Sequence, residues 1–181
     1  MVSPLEKIAW NSTGKNPLNN FLIPTLIAGS TVHTMSNEPF WLRKSLVEMS
    51  RQEWESLCDG CARCCLVKLE DADTDEIHYT NVVCDLLDQE SCRCADYTNR
   101  STRVPACVLV TPDNIEKLHW MPSTCAYRLL WEGKSLPDWH PLVSGDPDSV
   151  HFAGISVRGR VFGQCDIREE ELEDYIVEWP C

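Results

Sequence analysis

The chain has 181 residues, of which 43% are hydrophobic, enough for one domain with a core and an additional tail. Its formal charge of -12, from 28 acidic and 16 basic residues, disfavours non-specific nucleic-acid binding, because such a surface repels phosphate. The longest apolar run, at residues 21–29, is interrupted by Pro24 and is far shorter than the roughly 20 residues that a membrane span needs. We therefore expect a protein that binds neither nucleic acid nor membrane.

Residues 1–34 carry Asn, Ser, Thr, Gly and Pro throughout and show no sustained hydrophobic period. We predict a disordered extension over residues 1–34 and a folded metal-binding domain over residues 35–181. A signal peptide is an alternative for the apolar run, because Lys7 and Lys15 precede it. No small-x-small cleavage site follows Ala28, however, so we favour the extension.

The first predicted helix covers residues 51–57. Ser50 and Glu53 form a capping-box pattern, in which each side chain satisfies a free backbone N–H at the helix start. Trp54 and Leu57 lie three positions apart and share one face. Gly60 then allows the chain to turn with positive φ just beyond the predicted helix end.

The following segment predicts a loop and strands. Residues 69–77 form an acidic loop without the central Gly and distal Glu of a calcium-binding loop, so we expect it to be solvated. Residues 77–84 alternate and are β-branched, which predicts a strand, and we expect it to pair with residues 92–97 in a hairpin. A further strand is predicted over residues 104–110.

The C-terminal half predicts three more helices and a strand. A helix over residues 112–119 would begin with Pro112 at its first position, and another over 124–132 would end at Gly133. Residues 155–162 predict a strand, and residues 169–179 predict an acidic amphipathic helix. Together these elements predict a small α+β domain, organised around a metal, with short hairpins and three to five helices.

Eleven cysteines are present, and they are bunched rather than spread along the chain. A disulfide scaffold would suit a smaller chain with an even count, and the adjacent Cys64 and Cys65 cannot easily bridge each other without strain. A metal gathers several ligands at one point, so this distribution favours a metal site.

Residues 58–65 read CDGCARCC, which contains a C-x2-C-x2-C run. Bacterial-type iron–sulfur sites use this run with a remote fourth cysteine, whereas zinc usually takes C-x2-C pairs from two separate knuckles. No second C-x2-C pair follows, which favours iron or an iron–sulfur cluster and leaves zinc as the alternative. Cys65 would serve a second centre or face the core.

These residues carry a resemblance to a known family. CDGCARCC, the later segment from Cys84 to Arg100, PAC at residues 105–107 and STCAYRLL at residues 123–130 resemble the CxxCxxCC zinc- or iron-chelating superfamily, and within it the YcgN group of bacterial cysteine-cluster proteins. The resemblance runs from about Met35 to the C-terminus, and Cys165 and Cys181 lie outside its cysteine set. It implies that the metal ligands are Cys58, Cys61, Cys64, Cys65, Cys84, Cys92, Cys94, Cys107 and Cys125.

The resemblance implies a metal but no particular reaction. A domain of the same superfamily occurs in flagellin lysine methylases, which is compatible with an enzymatic role here but does not assign one. Three functions therefore remain open: an iron or iron–sulfur redox protein acting on a macromolecule, a zinc-stabilised module that binds a protein partner, and a metal-chelating or trafficking protein. Free thiols predict the bacterial cytoplasm, where they stay reduced.

A few non-cysteine residues are weaker candidates. Arg100 and Arg128 lie near cysteines in the sequence and could offset thiolate charge. His140 and His78 could ligate a metal, although a lone histidine is more often structural.

Overall fold

The computed structural model of the protein describes residues 38–181, so the predicted extension over residues 1–34 lies outside the described residues. Within residues 38–181 there are six short α-helices: α1 (Phe40–Arg43), α2 (Arg51–Ser56), α3 (Arg100–Arg103), α4 (Ala126–Trp131), α5 (Pro141–Ser144) and α6 (Ser149–Phe152). The five strands are β1 (Leu66–Glu70), β2 (Ile77–Val83), β3 (Leu87–Asp88), β4 (Arg93–Cys94) and β5 (Phe162–Gly163). This mixture confirms the predicted α+β class, with more and shorter helices than expected.

The strands form two small sheets. The larger has the order β1-β2-β5, with β1 and β2 antiparallel and β2 and β5 parallel, and the smaller pairs β3 with β4. The strand predicted over residues 77–84 is confirmed, but its predicted partner is wrong. Leu66 pairs with Val83 in β1–β2, whereas Cys94 pairs with Leu87 in β3–β4.

The first predicted helix is confirmed together with its cap. The hydroxyl of Ser50 accepts the backbone N–H of Glu53 at 3.3 Å, and the Glu53 carboxylate accepts that of Ser50 at 2.7 Å. The predicted helix over residues 124–132 corresponds to α4, which ends at Trp131, and Gly133 follows two positions later with a φ of 70°. Cys125 occupies the N-cap position of α4 without a side-chain capping hydrogen bond.

Four other predicted elements are wrong in extent or type. The helix predicted over residues 112–119 is only a 3-10 turn at Ile115–Lys117, and residues 104–110 form no strand. Of the strand predicted over 155–162, only the last residue belongs to β5. The acidic segment forms a 3-10 helix at Glu169–Tyr175 and then continues extended rather than helical.

Three clusters of buried apolar side chains meet at the cysteine turn, residues 58–65. Leu57, which precedes the turn, belongs to the cluster around α4, Ala62 belongs to the cluster under the sheet, and Cys61 packs with Val150 and Ile155 in the third. The turn is therefore held at the junction of the three clusters.

The extended C-terminal segment lies beside β2. The N–H of Val177 donates to the carbonyl of Tyr79 at 2.9 Å, and the indole N–H of Trp179 donates to the carbonyl of Thr80 at 3.2 Å. Among residues 38–181, no helix has the length and apolar character required to cross a bilayer.

Candidate metal centre

The cysteine turn is built from two residues with left-handed backbone conformation. Gly60 has a φ of 77° and Ala62 a φ of 58°, and a short 3-10 turn at Arg63–Cys65 follows. Left-handed residues reverse the chain direction within very few positions. The three cysteines at 58, 61 and 64 are thereby wrapped around one compact turn.

His140 supports the turn from the protein interior, through a hydrogen bond to the residue that precedes it. Its side chain is fully buried, its Nδ1 accepts the N–H of Leu142 at 3.1 Å, and its Nε2 lies 3.0 Å from the carbonyl oxygen of Leu57. An Nδ1 that accepts leaves the proton on Nε2, which donates to Leu57. Burial lowers the pKa of His140, so the ring is neutral. Both ring nitrogens are engaged by backbone, and this histidine serves as a structural support rather than as a metal ligand.

A second anchor was not foreseen from the sequence. The backbone N–H of Val157 donates to the carbonyl of Cys61 at 3.0 Å, and Val157 itself is fully buried. The sequence predicted a strand over residues 155–162, but this pattern did not indicate that Val157 contacts the turn.

Four thiols surround the turn and influence one another electrostatically. We call this set the first thiol group: Cys58, Cys61, Cys64 and Cys125. Burial, followed by the charges of Cys64 and Asp59, raises the pKa of Cys58 to about 12. Burial also raises the pKa of Cys61, and the charges of Asp59, Cys64 and Cys125 add to this effect. Effects of this size require that the groups lie close together in a poorly solvated region.

Packing between α2 and α4 explains why the distant Cys125 joins the turn. The rings of Trp54 in α2 and Tyr127 in α4 have centroids 4.6 Å apart, and the Tyr127 hydroxyl donates to the carbonyl of Trp54 at 3.1 Å. This contact brings the start of α4, where Cys125 lies, against the end of α2, which leads into Cys58. Burial is the main cause that raises the pKa of Cys125.

The remaining clustered thiols form the second thiol group: Cys65, Cys84, Cys94 and Cys107. The N–H of Cys84 donates to the carbonyl of Cys65 at 3.0 Å, and β4 brings Cys94 beside Leu87, whose own N–H donates to the carbonyl of Cys84 at 2.9 Å. Burial raises the pKa of Cys107, and the charges of Cys84, Cys64 and Cys94 raise it further, so Cys107 also lies near the first thiol group.

Cys64 and Cys65 connect the two groups. Their sulfur atoms are 4.0 Å apart, and the weak hydrogen bond between them lowers the pKa of Cys64 and raises that of Cys65. The positive charge of Lys68 also favours the Cys64 thiolate. Cys58 and Cys64 keep exposed surface at the edge of the turn, although the protein atoms crowded around the Cys58 sulfur still disfavour its charged form. The first thiol group can therefore be reached from outside.

Lys68 is fixed beside these thiols. Its ammonium donates to the carbonyl oxygens of Cys64 at 3.1 Å and Leu66 at 2.8 Å. It also lies 4.7 Å from the ring centroid of Trp120 and 5.4 Å from that of Tyr79, which suits cation–π attraction. A fixed positive charge therefore lies beside the vicinal thiols.

Arg100 and Arg128 have different environments. The guanidinium of Arg100 lies 3.6 Å from the ring centroid of Tyr97, and its charge opposes the rise in the pKa of Cys107. Arg128 is instead paired with Glu132 at 2.7 Å and donates to the carbonyl of Met121 at 2.7 Å. Of these two arginines, Arg100 is the one placed to offset thiolate charge.

The structure separates Cys92 from the other predicted ligands. It is buried in the cluster under the sheet, its sulfur is 3.9 Å from the carbonyl oxygen of Gln89, and Arg158 and Asp88 are its charged neighbours. Cys165 and Cys181, which the sequence placed outside the set, are exposed. All eleven cysteines are free thiols.

The donor chemistry of the thiol groups fits a soft or borderline metal, because cysteine sulfur is the ligand such ions prefer. The positions of the thiols are not yet those of a finished metal site. Within residues 38–181, no three cysteine, histidine or carboxylate donors already converge as a ready metal site. The turn would have to close on an ion, and a cation would favour closure because it stabilises the thiolate form of each ligand.

The comparisons with known proteins place the turn within a named domain. A family model described as "Putative zinc- or iron-chelating domain" matches residues 57–126, which include both thiol groups. No solved structure matches the chain.

Curated relatives match about four-fifths of the chain. A UPF0260 protein of Parvibaculum lavamentivorans is 60% identical over 147 residues, covering 81% of this chain and 96% of the relative. UPF0260 proteins of Rhodopseudomonas palustris strain BisA53 and Sinorhizobium medicae are each 59% identical; both alignments cover 81% of this chain, with 87% and 94% of the respective relatives. The chain therefore belongs to the UPF0260 family of bacterial proteins, and it carries that family's CxxCxxCC domain.

Proposed function

We propose that the protein binds iron through its cysteine thiolates, with the first and second thiol groups serving as two adjacent centres. The observation that carries the proposal is the clustering of eight free thiols in two groups that meet at Cys64 and Cys65, whose sulfur atoms are 4.0 Å apart. One mononuclear site or one cubane cluster needs only four thiolates, so eight thiols supply two such sites. Cys92, which lies apart, would have a packing role.

The C-x2-C-x2-C run supports iron over zinc, since it is typical of iron–sulfur ligation and no second C-x2-C pair follows. Bound iron would supply a thiolate-ligated centre that exchanges electrons. The protein's own residues would tune the site: Arg100 would offset negative charge beside the second thiol group, and Lys68 would do so beside Cys64. We further propose the YcgN group as the closer affiliation and the reducing cytoplasm as the compartment.

Anaerobic purification of the full chain tests this proposal. We expect a coloured protein with thiolate-to-iron absorption, and iron and acid-labile sulfide measured by elemental and chemical analysis. A colourless protein with tightly bound zinc would overturn the assignment to iron and favour a zinc-stabilised interaction module. A protein that takes up neither metal would overturn the proposal as a whole.

Substitutions test whether there are two centres. Cys61→Ser should remove the metal of the first thiol group, and Cys107→Ser that of the second, because a hard oxygen replaces a soft thiolate. The matched control is the double variant Cys165→Ser/Cys181→Ser, which should retain the full metal content. Complete loss of metal in each single variant would indicate one polynuclear site instead.

A further inference from the structure

Asp59 lies inside the cysteine turn, and half of its carboxylate is unpartnered. The residue is 5% exposed, and its Oδ1 accepts the backbone N–H of Cys61 at 2.9 Å. Its Oδ2 is buried and has no hydrogen-bond partner among residues 38–181. A buried carboxylate oxygen without a donor or cation is strongly unfavourable, so this atom is placed to receive one.

The surroundings of Asp59 make the unpaired oxygen still less favourable. Its negative charge acts on the thiol of every member of the first thiol group and opposes ionisation of each. Five groups that carry or could carry negative charge therefore share one small region. A divalent cation at this point would reverse the sign of these interactions, because each anionic group would then be attracted to it.

Arg63 is the competing partner. Its buried Nη2 is also without a hydrogen bond among the described residues, and Asp59 is one of the charges that favour its protonated form. However, Arg63 is held elsewhere, since its Nε donates to the carbonyl of Ile155 at 2.6 Å and its Nη1 donates to that of Pro180. The two side chains form no ion pair within 4.0 Å among the described residues.

We propose that Oδ2 of Asp59 is an oxygen ligand of the metal held by the first thiol group, which is then a mixed sulfur and oxygen site. This inference rests on the proposed function. Mixed thiolate and carboxylate coordination suits borderline divalent ions such as Fe²⁺, Zn²⁺ and Co²⁺. Among residues 38–181, no buried and unpartnered carboxylate oxygen adjoins the second thiol group, which instead has the guanidinium of Arg100, so the two centres differ in charge and in ligand type.

The test compares the full chain with Asp59→Asn after loading with Zn²⁺, using X-ray absorption at the zinc edge and a competitive chelator titration. Asparagine keeps an acceptor for the Cys61 N–H but removes the charge, so the turn should be retained. We expect an oxygen shell at roughly 2.0–2.2 Å beside the sulfur shell at about 2.3 Å in the wild type. In Asp59→Asn that oxygen shell should weaken, and affinity at one site should fall at least about tenfold.

Asp85→Asn is the matched control, because Asp85 also adjoins a cysteine, Cys84, but its carboxylate is already paired with the N–H of Cys165 at 2.8 Å. It should bind metal as the wild type does. An all-sulfur shell in the wild type, together with unchanged affinity in Asp59→Asn and loss of metal in Cys61→Ser, would overturn the inference and leave the proposed function standing.

Two further outcomes are informative. If the wild type shows a sulfur-only shell and Asp59→Asn has a lower melting temperature, the inference is overturned and Asp59 is a counter-ion of Arg63. Failure of the wild type to take up metal would overturn the proposed function together with this inference.

Discussion

Gly60 is the residue on which the shape of the cysteine turn depends most directly. Its φ of 77° is strained for any side chain, and an added Cβ would lie 3.3 Å from Nη2 of Arg93. The charge of Arg93 lowers the pKa of Cys58 against the stronger effect of burial. The glycine therefore sets both the backbone path and the position of a nearby cation.

We expect Gly60→Ala to lower the free energy of unfolding by about 1–2 kcal/mol, because alanine tolerates left-handed backbone poorly. Gly133→Ala is the matched control, since Gly133 has a φ of 70° and nothing within 4 Å of its would-be Cβ. Both variants should lose similar stability in urea unfolding. Only Gly60→Ala should also weaken metal binding, and equal metal affinity in the two variants would contradict this account.

His140 should make stability depend on pH. Burial lowers its pKa below the usual value of 6.5, so the unfolded chain takes up a proton that the folded protein excludes. The stability that the neutral ring contributes is therefore complete above about pH 6.5 and is lost as the pH falls through the folded-state pKa.

His140→Gln should flatten this dependence between pH 5 and 8. It should also lower the free energy of unfolding at pH 7.5 by about 1–3 kcal/mol, because a buried hydrogen-bond partner is left unpaired. Urea unfolding at several pH values checks both effects. The exposed His119 provides the control His119→Gln, and an identical pH profile for the wild type and His140→Gln would disprove the role given to the buried ring.

Among the elements, the small sheet of β3 and β4 should depend most on bound metal. It has only two residue pairs, whereas β1 and β2 pair along most of their length. In the second thiol group, Cys84 precedes this weak sheet, Cys94 belongs to β4 within it, and Cys107 follows it. Because no preformed site exists in a loosened chain, metal-binding energy becomes folding energy there.

Chelation should therefore reduce amide hydrogen-exchange protection across residues 84–107, while the amides of β2 should stay protected. Val82 and Val83 are fully buried and serve as the internal reference. Exchange measured by mass spectrometry before and after removal of metal gives the comparison. Unchanged protection of residues 84–107 after complete removal of metal would refute the coupling.

The elements that could be predicted from sequence are those fixed by local signals. The capping box at Ser50 and Glu53 defined α2, and Gly133 defined the end of α4. Strand pairing could not be read in this way. Residues 71–76 form an exposed acidic loop as expected, closed by Asp71, whose Oδ1 accepts the N–H of Asp73 and of Thr74. The sequence did not show that this loop joins β1 to β2 in a hairpin.

The acidic segment failed as a helix for a different reason. Its repeated carboxylates repel one another at helical spacing, and long-range contacts favour the extended chain that follows. Val177 and Trp179 hydrogen-bond to β2, which a helix over residues 169–179 would not allow. Similarly, the sequence identified the cysteine turn but not its division into two thiol groups, because Cys125 and Cys107 reach it only through tertiary packing.

At the scale of the whole molecule, a chain starting at Met35 should fold and bind metal as the full chain does. Residues 1–34 contain no cysteine, and the curated relatives align over about four-fifths of this chain. Metal content and the thermal unfolding midpoint of the two chains should agree. Loss of metal or of solubility on truncation would show that these residues belong to the domain.

The attachment of the C-terminus to the cysteine turn has a consequence for the order of events during synthesis. Arg63, between two cysteines of the turn, donates to Pro180 and lies 5.5 Å from the ring centroid of Trp179. The ribosome makes Arg63 117 residues before Pro180, so the turn lacks this support while the chain between them is synthesised. Nascent chains stalled before Val177 should therefore retain metal less firmly than the full chain when both are challenged with a chelator.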